Sequence, residues 1–93
     1  MARFTALVQI FAESTRLDAV ERALGMLDNL EALFEVTGEF DIVALISASD
    51  SEEFREILSN EIRTIEGIKA TAISVVLKDV RAPMQVPMIE ALR

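Results

Sequence analysis

The chain is expected to fold as α+β in the order βαββαβ, and three observations lead there. The stretch Glu35-Val36-Thr37-Gly38-Glu39-Phe40-Asp41-Ile42-Val43 joins two apolar strands through a very short connection. Such a connection forces a tight antiparallel hairpin, with Gly38 where the turn usually needs a positive φ. A strand-then-helix pattern precedes the hairpin and a helix-then-strand pattern follows it.

Each element has its own signal. Arg3 to Phe11 reads as the first strand, with Phe4, Ala6, Val8 and Ile10 on one face and Leu7 and Phe11 on the other. Ser14 or Thr15 is placed to cap the first helix, whose buried stripe is Leu17, Val20, Leu24 and Leu27. Glu13, Asp18 and Glu21 suit its positive dipole end. Gly25 weakens this helix slightly and offers a close approach to the sheet, and Asn29 is the expected stop. Leu30 to Thr37 and Asp41 to Ala48 form the two hairpin strands. Asp50 and Glu53 have the spacing of a capping pair. The second helix then buries Phe54, Ile57, Leu58, Ile62 and Ile65, and Gly67 ends it. Ile68 to Leu77 is the last strand. The expected domain covers residues 1–78. Residues 79–93 form an apolar tail broken by Pro83 and Pro87, with a short helix expected at Met88 to Leu92.

Composition narrows the function. The 93 residues suffice for one small domain, yet 52% are hydrophobic, more apolar surface than one small core can hide. Self-association is therefore expected. Sixteen Asp and Glu against nine Lys and Arg give a net charge of −7, which argues against direct nucleic-acid binding, since that affinity comes from cations neutralising phosphates. No Cys and no His are present, which removes disulfides, thiolate chemistry, the usual zinc sites and imidazole catalysis. No cofactor, metal or catalytic residue is expected. Met1-Ala2-Arg3 leads directly into a strand, leaving no room for a signal peptide, and no apolar run reaches the ~18–20 residues of a membrane helix. A cytoplasmic location without membrane contact is expected.

The strands are apolar on both sides. Leu7, Phe11, Leu33, Val43, Leu45, Ile73, Val75 and Leu77 are assigned to one face, and Phe4, Val8, Ile10, Phe34, Val36, Ile42 and Ile46 to the other. The order βαββαβ places both helices on one face, so the second face needs another cover. The economical cover is a second copy, sheet against sheet. The prediction is a ferredoxin-like domain with a four-stranded antiparallel sheet and two helices on one face, dimerising through the other.

Other families of this topology are set aside by what the chain lacks. Stacking aromatics with basic flanks, a C-x-x-C loop, an uncharged phosphate loop after the first strand, and a long loop between the second and third strands are all missing. What remains resembles the effector-sensing (RAM) domain of the leucine-responsive regulatory protein/AsnC family, from about Phe4 to Leu77. Val36-Thr37-Gly38-Glu39-Phe40-Asp41 is similar to that family's V-[ST]-G-x-[FY]-D turn, Ile65-Glu66-Gly67-Ile68 to its I-x-G-[VI], and Ser74-Val75-Val76-Leu77 to its final strand.

The resemblance implies dimers that assemble further, an octamer being expected, and a free amino acid or similar small effector bound between dimers near the turn. The backbone of Gly38 and Glu39 could receive an α-carboxylate, Asp41 an α-ammonium, and Phe40 could wall the site, with Ser74 and Ser51 contributing from the last strand and the second helix. Full-length members carry a DNA-binding helix-turn-helix. A chain beginning at the first sensing strand is expected to be a stand-alone sensor that co-assembles with such relatives. Two rivals stay open: a ligand-free oligomerisation module, and a small dimeric α/β-barrel enzyme.

Overall fold

A computed structural model describes residues 3–81. Four antiparallel strands form one sheet in the order β2-β3-β1-β4. They are β1 (Phe4–Ala12), β2 (Leu30–Glu35), β3 (Ile42–Ala48) and β4 (Ile68–Val75). The crossovers are α1 (Leu17–Gly25), entered through a 3-10 turn at Ser14–Arg16, and α2 (Ser51–Ile57), continued by a π turn at Leu58–Ile62. The ferredoxin-like α+β prediction holds. Among the described residues no helix is long and apolar enough to cross a membrane.

Burial follows the two-residue period of the strands. Ala6, Val8, Ile10 and Ala12 of β1, with Ile42, Ala44, Ile46 and Ala48 of β3, are buried under the helices. Val20 and Leu24 of α1, Phe54 and Ile57 of α2, and Leu58 and Ile62 of the π turn cover them, and Leu17, Leu27 and Ile65 pack against this core. Phe4 meets Phe54 at a centroid distance of 5.3 Å. The expected helical stripes are thus the observed ones.

The end of each element departs in detail from expectation. Neither Ser14 nor Thr15 caps a helix through its side chain. The chain enters α1 through the 3-10 turn instead, held by Glu13 N–H on Gly67 O at 2.8 Å and Arg16 N–H on Glu13 O at 2.9 Å. Asp50 does cap α2, accepting from Glu53 N–H at 2.8 Å. The Glu53 carboxylate reaches back to Ser49 N–H at 2.6 Å, one residue before the cap. α1 ends at Gly25, well before Asn29. Asn29 joins β3 instead, donating to Ser47 O at 2.8 Å through its amide and accepting from Ser47 N–H at 3.0 Å. β2 stops at Glu35 and β4 at Val75, short of the expected Thr37 and Leu77. The tail beyond residue 81, with its expected helix at Met88, lies outside the described residues.

Register corrects part of the two-face assignment. Leu33 pairs with Ala44 and so lies on the helix side, while Phe34 pairs with Val43 on the open side. Ile73 and Val75 pair with Val8 and Ala6 and also face the helices. Two irregularities cause this, one between Leu30 and Ala32 of β2 and one between Phe11 and Ala12 of β1. An extra residue in a strand reverses the parity of everything beyond it. The large apolar residues of the open face are Leu7, Phe11, Phe34, Val43 and Leu45, and β4 adds the small residues Ala70, Ala72 and Ser74.

Glycine substitutions separate two kinds of site. Gly25 has nothing within 4 Å of an added Cβ, so it provides no close approach to the sheet. Gly67 has φ +104, and its Cβ would fall 2.7 Å from Arg16 Cβ. Gly25→Ala should stabilise the fold by roughly 0.5–1 kcal/mol. Gly67→Ala should destabilise it by about 1–3 kcal/mol, because that backbone is strained for any side chain and the 3-10 turn must also shift. Calorimetric melting of the two variants should move in opposite directions.

Candidate functional site

The hairpin is built by β2 and β3 and closed by Val36 N–H on Asp41 O at 2.9 Å. Gly38 takes φ +141, as the turn requires. Gly38 and Glu39 are exposed, and Phe40 and Asp41 are half-buried. Among the described residues, the N–H groups of Thr37, Gly38, Glu39 and Phe40 have no protein acceptor. Four neighbouring donors are thus unclaimed within the described residues, a set suited to an anion.

Asp41 ties this turn to the sheet. Its N–H donates to Ile10 O at 2.9 Å, and its Oδ2 accepts from Ala12 N–H at 3.0 Å. The reason is local. The β1–β3 ladder ends at Ile10↔Ile42 and β1 is irregular just beyond, so Ala12 N–H has no strand acceptor there. A carboxylate supplies the missing acceptor. The other oxygen, Oδ1, makes no hydrogen bond among the described residues.

The six residues singled out by sequence do not converge within one chain. Gly38, Glu39, Phe40 and Asp41 form one locus. Ser51 opens α2 beyond the far end of β3, and seven strand residues at ~3.3 Å each put it roughly 20 Å or more away. Ser74 stands on the open face beside Leu7, in the same row as Leu45. It is about four residues along and two strands across from Asp41, so these loci meet only if another copy completes the site.

A second feature escaped the sequence reading. A surface hollow of about 410 Å³ is lined by Arg63, Ile68, Lys69, Ala70 and Thr71 beside the β4 edge. Lys69 Nζ lies 5.0 Å from the centroid of the Phe11 ring. No sequence signal marks it, because Arg63 and Lys69 become neighbours only through the turn between α2 and β4. Among the described residues, no group of three or more metal-ligating side chains comes together.

The model of the Lrp/AsnC ligand binding domain matches residues 5–86. The chain belongs to that family. A homocitrate synthase from Sulfurisphaera tokodaii is 34% identical over 74 residues, which are 78% of this chain but 16% of that protein. This domain thus spans about a sixth of the curated relative's length. A solved protein from Thermus thermophilus is 29% identical with a TM-score of 0.78, over 82% of this chain and 95% of that one. A Neisseria meningitidis transcriptional regulator solved with L-methionine has a TM-score of 0.80 at 16% identity, over 91% of this chain and 56% of its own.

The Asp41 contact can be tested directly. Asp41→Ala leaves the buried Ala12 N–H without an acceptor and should cost about 1–3 kcal/mol. Asp41→Asn keeps an acceptor oxygen and should cost much less. Denaturant unfolding of the pair should show the difference, and equal losses would mean that the bond contributes nothing.

Proposed function

We propose that this chain is an effector sensor of the Lrp/AsnC kind, which binds a free amino acid or similar small molecule at the Thr37–Asp41 hairpin where copies of the chain meet. The observation that carries the reading is the family match over residues 5–86, with its V-T-G-E-F-D turn presenting unclaimed donors beside a free carboxylate oxygen. The donors receive the α-carboxylate, Asp41 Oδ1 receives the α-ammonium, and Phe40 walls the side chain. Ser74 and Ser51 reach the effector from neighbouring copies. The L-methionine held by the Neisseria regulator supports an amino-acid effector.

Assembly is part of the proposal. The open face carries Phe11 at 40% and Phe34 at 38% exposure, beside Leu7, Val43 and Leu45. A second copy laid sheet against sheet covers them, and dimers joined at the hairpins build an octamer. Such a sensor has no reaction of its own and works in the cytoplasm, co-assembled with full-length relatives that bind DNA.

One observation favours a second output. The Sulfurisphaera relative carries this domain as a small part of a homocitrate synthase. In this reading the same sensor adjusts an enzyme of that kind, and the −7 charge is no obstacle because no nucleic acid is approached. Mixing the purified chain with such an enzyme and with a full-length family regulator, with and without effector, separates the two outputs.

Calorimetric melting against a panel of free amino acids tests the sensing step. An effector at ~100 times its Kd should stabilise the native state by about 2.7 kcal/mol per site. Asp41→Asn should fold normally and lose that shift, because the charge that receives the ammonium is gone. A panel that moves nothing would leave a ligand-free assembly module as the better reading.

Sedimentation tests the assembly. The wild type should run as a dimer or larger at micromolar concentration, and Leu45→Asp should shift it strongly towards monomer or unfolded chain. A folded wild-type monomer under those conditions would overturn the assembly proposal.

A further inference from the structure

Two backbone irregularities converge on one hollow. The first follows α2, where the π turn Leu58–Ile62 is closed by Arg63 N–H on Leu58 O at 2.9 Å. A π turn holds one residue more than an α turn, so Arg63 leaves the helix in a direction that a regular helix would not give it. The second is in β4. Phe11 pairs with Ala70 and Ala12 with Ile68, which makes Lys69 the extra residue of a bulge. A bulge re-aims the side chain it adds. Lys69 is thereby carried towards the open face, where its Nζ lies 5.0 Å from the centroid of the Phe11 ring. Both cations line the hollow of about 410 Å³ at the β4 edge, together with Ile68, Ala70 and Thr71.

The charges there are uncompensated. Glu66 stands midway between the two cations in sequence, but its carboxylate is bound to Arg16 at 3.0 Å. Among the described residues neither Arg63 nor Lys69 has an ion-pair partner. A chain of net charge −7 thus brings two unpaired cations to one place. The turn that joins them is braced. Ile65 N–H donates to Ile62 O at 3.1 Å, Thr64 Oγ1 to Asn60 O at 2.9 Å, and Glu13 N–H to Gly67 O at 2.8 Å. The hollow is therefore held by the fold itself, and its lining comes from a single chain.

We propose that this hollow is a binding site, separate from the hairpin, for a small organic carboxylate. The Arg63 guanidinium takes the carboxylate in a forked pair, and Lys69 adds a further charge-assisted hydrogen bond. Ile68 and Ala70 meet the apolar body of the ligand. The volume lies within the range of small-molecule sites. The same geometry disfavours a bare phosphate. Phosphate sites gather several backbone N–H groups at one point, whereas those of an extended strand point alternately to its two sides. Both cations are exposed, so the attraction is screened by salt. The proposal does not rest on the sensor reading, because the hairpin joins β2 and β3, on the other side of β1 from β4.

The experiment is amide NMR titration of the intact chain with succinate, and separately with inorganic phosphate, at constant ionic strength. Succinate should shift the Lys69, Ala70 and Thr71 amides along one saturating curve and leave those of Gly38 and Glu39 in place. Arg63→Gln and Lys69→Gln should each weaken binding about tenfold, the loss of one charge-assisted hydrogen bond. Arg22→Gln, which removes an exposed cation of α1, should leave it unchanged. Thermal melting of the three variants should match the wild type, which separates lost binding from lost fold. Shifts that never saturate, equal weakening by Arg22→Gln, or shifts centred on the hairpin would each overturn the proposal. Phosphate held in the hollow more tightly than succinate would overturn the assignment to carboxylates.

Discussion

The face that β1 and β3 turn towards the helices constrains the rest of the molecule. Val8, Ile10, Ile42 and Ile46 lose all solvent exposure there, and α1 and α2 have to lie across them. The strand period then leaves no choice about the residues in between. Leu7, Phe11, Val43 and Leu45 must stand on the opposite side, and among the described residues no helix is left to cover them. An apolar open face is thus a direct consequence of strands that are apolar at both parities. The polar atoms on that face do not change its character. Thr5 and Ser47 are close enough to bond each other at 3.2 Å, which leaves Gln9 as the larger polar group in the field.

Much of this was legible in the chain because it rests on local chemistry. The stripe Phe54, Ile57, Leu58, Ile62 has helical spacing whatever surrounds it, and Asp50 caps α2 with its own side chain. The positive φ of Gly38 is likewise demanded by the turn itself. The errors in assigning residues to the two faces share one cause. In Leu30-Glu31-Ala32-Leu33-Phe34 no alternation tells which residue is extra, so the irregularity that sends Leu33 inward and Phe34 outward is invisible. The same holds for the step at Phe11 and Ala12 that turns Ile73 and Val75 towards the helices. Parity across a bulge is a tertiary fact. Within the candidate site, the turn was legible as a continuous motif. The anchoring of Asp41 was not, because Ala12 lies far from it in sequence.

That anchoring changes how the turn can be understood. A hairpin fixed only at its own ends would be free to reorient. This one is bound to the central strand through both the backbone and the side chain of Asp41. That end of the turn is therefore fixed in place, and under the proposed function such pre-organisation would lower the entropy lost on binding. One carboxylate can serve structure and recognition together, since Oδ2 is committed to Ala12 and Oδ1 is not. An aspartate at this position is accordingly poor evidence of recognition taken alone, and the unclaimed donors beside it carry more weight.

A domain matched in a homocitrate synthase and in a transcriptional regulator poses a physical question, because those proteins share no output. The answer lies in where an effector would sit. If it binds between copies, its affinity and the strength of that contact are linked, and each changes the other by the same factor. The domain then needs no chemistry of its own. Under the proposed function it converts a concentration into an assembly state, and whatever is joined to that assembly reads the result. The absence of His and Cys is no handicap for such a device. Neither is an acidic surface, provided the contact is made through the open face and the hairpins rather than through the charged helices. The same logic locates sensitivity. With the effector between copies, a change that alters the hairpin's direction would act on ligand and neighbour at once, whereas an equal change on the outer faces of α1 or α2 would reach neither.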